Sequence, residues 1–278
     1  MRSWGVPART EQMAENAPGT GRDIAKEQKS VSEKSKAKEG GVYETVKVLV
    51  QALLLALIVR TFLFQPFNIP SGSMMDTLLI GDYLFVSKYS YGYSRYSFPY
   101  GIVPFEGRIW ASEPERGDIA VFKLPADNST DYIKRVIGLP GDKIQMIDGV
   151  LHINGTAVER TRIDDFITTD SFGAVRRVPR YSETLPNGVS YETLDLTPRG
   201  TWDNTGVYKV PPGHYFMMGD NRDNSTDSRV LSAVGYVPFE NFVGRAEMLF
   251  FSVDEQASAW MVWEWPWTVR WNRLFRIL

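Results

Sequence analysis

The 278 residues contain no cysteine. Thiol nucleophiles, disulfides and thiolate metal sites are therefore excluded. The redox compartment stays open, because a chain without thiols suits either side of a membrane. Histidine is almost as scarce. His152 and His214 stand alone, and neither has a partner at metal-ligand spacing. No metal and no cofactor are expected. The formal net charge is only −2, so nothing pulls the whole chain towards nucleic acid or anionic lipid. No nucleic-acid partner is expected, and no internal repeat is visible.

Long apolar runs are also missing, with one exception. Val46 to Phe64 reads VKVLVQALLLALIVRTFLF, 19 residues, close to the length that crosses a hydrocarbon core. Lys47 and Arg60 lie near its ends, where long side chains reach the interface. Gln51 sits inside, which leaves a buried amphipathic helix as the rival. A polar lead before the run and an abrupt Phe-Leu-Phe-Gln-Pro exit favour the membrane span. Residues 1–42 are polar and show no period, and they read as a disordered lead. Nine Lys and Arg residues up to Lys47 put that lead in the cytoplasm by the positive-inside rule. Nothing like Ala-x-Ala follows the run, so the anchor, taken as 43–65, is expected to stay attached.

What is abundant points to β structure. Aromatics make up 13% of the chain, and glycine and proline recur throughout. Leu78–Val86, Ile119–Phe122, Asp131–Ile137, Lys143–Ile147, Leu151–Ile153, Val207–Val210 and His214–Met218 read as strands. Asn154-Gly155 is a hairpin signal. The expectation is a mainly β, antiparallel-sheet catalytic domain over 66–147 and 207–256. An inserted smaller β lobe occupies 148–206. Tyr89, Tyr91, Tyr93, Tyr96, Phe98 and Tyr100 suit either a cover over the core or an interfacial belt. The tail, 257–278, holds five of the eight tryptophans, with Arg270, Arg273 and Arg276 at spacing three. It suits a membrane-interfacial segment better than a cap on the core.

Three segments carry chemistry. Phe67-Asn68-Ile69-Pro70-Ser71-Gly72-Ser73-Met74 follows the anchor and reads as a turn that could hold a hydroxyl outward. Alone it would be an ordinary loop. A serine needs a base, and His214, after a Pro-Pro-Gly turn, is better placed for packing. Lys134 is the other candidate. Alternation groups it with Tyr132 and Val136, and a lysine among apolar neighbours can lose its charge. The third segment, Met217 to Arg229, is dense in Asp, Asn and Arg just after an apolar strand. Such density calls for internal pairing.

Together these segments resemble the type I signal peptidases, the bacterial leader peptidase family. The residues are Pro70-Ser71-Gly72-Ser73-Met74-Met75, Tyr132-Ile133-Lys134-Arg135 with Gly138-Leu139-Pro140-Gly141-Asp142, and Gly219-Asp220-Asn221-Arg222-Asp223-Asn224-Ser225 through Asp227-Ser228-Arg229. The resemblance covers roughly 46–255. It implies a membrane-bound serine endopeptidase that removes N-terminal signal peptides by a Ser–Lys dyad. Ser73 would be the nucleophile and Lys134 the general base. Ser71, beside the Ser73 N–H, would complete an oxyanion hole, and Ser225 would orient the amine. Arg135 with Asp220, and Asp227 with Arg229, would brace the loop. Phe67, Ile69, Tyr132 and Ile133 would line pockets for small side chains, hence Ala-x-Ala-like cleavage sites. The implied partners are exported preproteins, the lipid bilayer and the protein-export translocon. The implied place is the bacterial cytoplasmic membrane, single-pass, with the catalytic domain outside. The chain departs from some members in having one clear span and no cysteine pair in the inserted lobe.

Overall fold

The structure is a computed structural model of the chain, and it describes residues 21–98, 105–169, 174–197, 199–255, 257 and 260–278. Met1–Leu55 and Ala56–Leu278 form two compact units. A long helix, α1, spans Gly21–Ile58, and a single π-turn over Val59–Leu63 follows it. Val42–Leu63 is long and apolar enough to cross a membrane, and only 6% of its most apolar stretch is buried in the protein. At 1.5 Å per residue it reaches about 33 Å. Two expectations change here. Residues 21–42 are helical rather than irregular, while 1–20 lie outside the described residues. The lead is rich in Lys, Glu, Gln and Ala, and extending a helix nucleated by the apolar run adds one hydrogen bond per residue. The apolar segment also ends at Leu63, because Phe64 and Gln65 already belong to the first strand.

The second unit is mainly β. Its strands are β1 (Phe64–Asn68), β2 (Asp82–Ser87), β3 (Ile119–Lys123), β4 (Asp131–Gly138), β5 (Lys143–Ile147), β6 (Val150–Ile153) and β7 (Thr156–Ala157). They continue as β8 (Glu159–Thr169), β9 (Val175–Thr184), β10 (Ser190–Leu194), β11 (Tyr208–Lys209), β12 (His214–Met218), β13 (Val237–Pro238) and β14 (Phe242–Ser252). The main sheet runs β1-β2-β14-β3-β4-β12-β13, with antiparallel pairing throughout. Smaller sheets, β11-β5-β6-β7 and β10-β9-β8, form the inserted part. That part therefore takes in 143–147 and 208–209, which the sequence reading gave to the catalytic domain. The Asn154-Gly155 turn joins β6 to β7 with both residues at positive φ, and Asp148-Gly149 does the same between β5 and β6.

The core explains why some strands are apolar on both faces. In β3, Ile119 and Val121 face a cluster with Met74, Leu78, Leu84 and Leu249. Ala120 and Phe122 face another, with Tyr91, Val136, Tyr215 and Phe242. A strand covered on both sides reads as a continuous apolar run. In β12, Phe216 and Met218 turn to a third cluster, with Ile144, Leu151 and Tyr191 of the inserted part. The tyrosine-rich segment divides. Tyr91 and Tyr93 are buried and Tyr89 is exposed, while Tyr100 lies outside the described residues.

The tail divides too. Only α2 (Trp265–Thr268) is α-helical, so the three arginines do not share one helix face. The last residues run beside β14, with Leu249 N–H donating to Arg276 O and Leu278 N–H to Glu247 O. Arg273 is buried, and its guanidinium grips both oxygens of Asp82, at 3.2 and 2.6 Å. Trp260, Trp263, Trp267 and Trp271 point outward and stay exposed. The end of the tail therefore belongs to the core, and of its five tryptophans Trp265 packs against Phe251 of β14 at 5.0 Å while the other four stay outside. Arg273→Ala should leave the buried Asp82 short of its main partner and cost about 3 kcal/mol. Thermal unfolding of the full chain checks this, with the midpoint falling.

Candidate active site

Pro70 and Gly72 bend the chain after β1 into one 3-10 turn, Gly72–Met74, whose second residue is Ser73. Met74 is fully buried in the apolar cluster and pins the turn from below. Ser73 is itself buried, while Ser71 is exposed with its Oγ 3.4 Å from Ser73 Oγ. The N–H groups of so short a turn have no partner within it.

Lys134 comes from the middle of β4, paired with Ala120 of β3. Only 4% of the residue is exposed. Its Nζ donates to Ser73 Oγ at 2.6 Å and to the Ile133 carbonyl at 3.0 Å. The amine also stands 5.4 Å from the centroid of the Tyr132 ring. Burial lowers the Lys134 pKa to about 8, against the charges of Asp227 and Asp220, which pull it up.

Those carboxylates are held by other cations. Arg135, next in β4, binds Asp220 through Nε at 2.9 Å and Nη2 at 2.7 Å. Thr77 Oγ1 donates to the same carboxylate at 2.6 Å. Arg229 grips Asp227 through Nε at 2.9 Å and Nη2 at 2.8 Å. Burial alone would raise the Asp227 pKa, but the Arg229 guanidinium and the Gly219 N–H outweigh it and hold the carboxyl low.

The loop after β12 is lashed to the serine turn. Asn221 N–H donates to Ser73 O at 3.2 Å, and Asn221 Nδ2 donates to Gly72 O at 2.9 Å. Gly219 lies so close that a Cβ there would stand 2.5 Å from Ser73 O and 2.2 Å from Ser225 Oγ. Ser225 does not reach the Lys134 amine. Its Oγ is buried against Gly219 and makes no well-formed hydrogen bond, lying near enough to Asp227 to help keep that carboxyl low. The expected Ser225–Lys134 contact is therefore not made, and the Ile133 carbonyl takes that place.

Of the four residues expected to line pockets, three share one cluster, and Tyr132 stands instead beside the Lys134 amine. Phe67, Ile69 and Ile133 share the cluster around Met74. Tyr132, one position along β4, faces the opposite cluster with Phe122. Successive strand residues alternate, so both could not line one face.

Sequence reading missed Asn221 as a clamp and missed the bracing from the inserted part. Glu183 of β9 is fully buried between Arg222 and Tyr191, at 2.5–3.0 Å. The Tyr191 ring also lies under the Arg135 guanidinium at 4.3 Å, and Leu194 N–H donates to Asp220 O. The signal was a polar loop too dense to pair only with itself.

Gly219→Ala should displace Ser225 or the Ser73 carbonyl, lower kcat about a hundredfold and cost about 1–3 kcal/mol of stability. Turnover of a peptide substrate alongside a melting curve tests it.

Comparison with known proteins gives a consistent set. The family model described as "Signal peptidase, peptidase S26" matches residues 42–251. A signal peptidase I of Rickettsia conorii is 43% identical over 267 residues, covering 90% of this chain and 96% of its own. One from Rickettsia typhi is 49% identical over 208 residues, covering 72% of this chain and 76% of its own. A crystal structure of a signal peptidase I from Enterococcus faecalis is 25% identical, covers 48% of this chain and 97% of its own, and has a TM-score of 0.27.

Proposed function

The chain belongs to the signal peptidase, peptidase S26 family, serine peptidases that remove signal peptides from exported preproteins, and on that premise we propose that Ser73 and Lys134 carry out the cleavage as nucleophile and general base. The observation that carries this is the 2.6 Å contact between the buried Lys134 amine and Ser73 Oγ.

That contact supports the following steps. Neutral Lys134 accepts the Ser73 proton as Oγ attacks the scissile carbonyl. Negative charge develops on the carbonyl oxygen. The Ser73 N–H and the Ser71 hydroxyl, on the same turn as the nucleophile, would receive it, each worth about 3 kcal/mol in such a role. The ammonium of Lys134 then protonates the leaving amine, and the mature protein departs. An ester between Ser73 and the signal peptide remains. Water gives its proton to Lys134, attacks the ester, and frees the serine.

Phe67, Ile69 and Ile133 form the apolar lining beside the turn. A shallow apolar wall next to a nucleophile fits short side chains, which supports cleavage after Ala-x-Ala-like sequences. The excess of Lys and Arg before Val46 supports a cytoplasmic N-terminus, with the catalytic unit on the outer side of the cytoplasmic membrane. The bilayer and the export translocon are then its surroundings, because the substrate arrives with its own apolar segment in the membrane.

At pH 7 a lysine with pKa about 8 is neutral in about one molecule in ten. Below that pKa the amine carries its proton and cannot take another. The rate should therefore rise with pH and level off above about 8. Lys134→Arg should be as inactive as Lys134→Ala, since a guanidinium stays charged. Cleavage of a purified preprotein across the pH range tests both, and activity surviving in Lys134→Arg would remove Lys134 as the base.

A further inference from the structure

A cleft of about 860 Å³ opens at the foot of the apolar run and extends to Phe67, one of the residues beside the serine turn. Leu57 and Arg60 line it from the end of that run, Lys88 from the end of β2, and Arg95, Phe98 and Lys123 from further along. Four cations thus meet in one hollow. Two are already satisfied. Lys123 pairs with Asp131 at 2.9 Å, and Arg95 pairs with Glu240 at 3.2 Å.

The other two are not. Arg60 is exposed and has no ion pair among the described residues. Lys88 is 3% exposed, yet among the described residues its amine bonds only to the Ser97 carbonyl. A buried ammonium ordinarily has a carboxylate beside it. Here burial, and then the charge of Arg60, bring the Lys88 pKa down to about 8. The two cations repel each other, and Asp131, the carboxylate on the wall of the hollow, pulls the other way on Lys88 but is itself paired with Lys123. An ammonium has three donors and a guanidinium five, so most of their hydrogen-bonding capacity is unused.

We propose that this cleft binds the phosphodiester of an anionic membrane lipid, with Arg60 and Lys88 as its cationic ligands and Leu57 and Phe98 against the acyl chains. The inference rests on reading Val42–Leu63 as a membrane span. Phosphate matches the chemistry, because guanidinium and ammonium groups form charge-assisted hydrogen bonds with its oxygens. Depth matches too. Arg60 lies three residues before the apolar run ends at Leu63, at the level where headgroups sit. The apolar walls favour a lipid over a free ion. The site would seat the catalytic unit at a fixed height over the membrane without entering the chemistry.

The test uses the full chain in detergent micelles containing equal phosphatidylglycerol and phosphatidylcholine. Native mass spectrometry counts the lipid retained. The wild type should keep phosphatidylglycerol preferentially, and Arg60→Gln and Lys88→Gln should each lower that retention about tenfold. Arg60 is exposed, so its variant keeps the fold even where the buried Lys88→Gln does not. Equal retention of the two lipids, or retention unchanged in Arg60→Gln, overturns the proposal. So does displacement of the lipid by inorganic phosphate alone, which would assign the cleft to a free anion. Preprotein cleavage in the same micelles reads the peptidase separately, and sedimentation of the chain with membranes reads the span.

Discussion

A lysine can serve as a base only where its charged form is disfavoured, and the surroundings of Lys134, the base we propose, meet that condition. Burial in β4 pushes the amine down, while Asp220 and Asp227 pull it back up. Unpaired, either carboxylate would hold a proton on the amine and silence it. Each is instead claimed by its own arginine, Arg135 or Arg229, in a two-point grip. The arginines thus act on electrostatics as well as on loop shape. Buried pairs of this kind add little net stability, but losing one partner costs several kcal/mol.

The second requirement is position. Ser73 sits on a turn with little internal structure, so its place must be set from outside. Met74 holds it from the apolar side, and Asn221 and Gly219 from the polar side. Their loop is braced in turn by Glu183 and Tyr191 of the inserted part, through Arg222 and Arg135. The inserted strands therefore do more than decorate the sheet. They complete the polar side of a site whose apolar side comes from the main sheet.

Legibility from the sequence followed the range of the interactions. The apolar run, the β pattern and the Asn-Gly turn are local and could be read directly. Ser73 and Lys134 could be named because three motifs, in order after an apolar run, together resemble one family. Charge density called for pairing in the loop after β12, and the family resemblance named Arg135 as the partner of Asp220. What could not be read depends on contacts distant in sequence. Ser225 stands by the amine in the motif logic, yet in the fold it lies against Gly219. Tyr132 turns away from Ile133 because adjacent strand residues face opposite clusters. Arg273 looked like part of an amphipathic face, but Asp82, nearly two hundred residues earlier, draws it into the core. Residues 21–42 looked irregular because periodicity was the only guide, and continuation from a formed helix leaves no period.

The central claim is that Ser73, and not its neighbour Ser71, forms the covalent bond. Reaction of the full chain with an acylating inhibitor, followed by mass spectrometry of the peptide spanning both serines, measures this directly. The added mass should sit on Ser73, vanish in Ser73→Ala and persist in Ser71→Ala. Label on Ser71 or Ser225, or label surviving in Ser73→Ala, would contradict it.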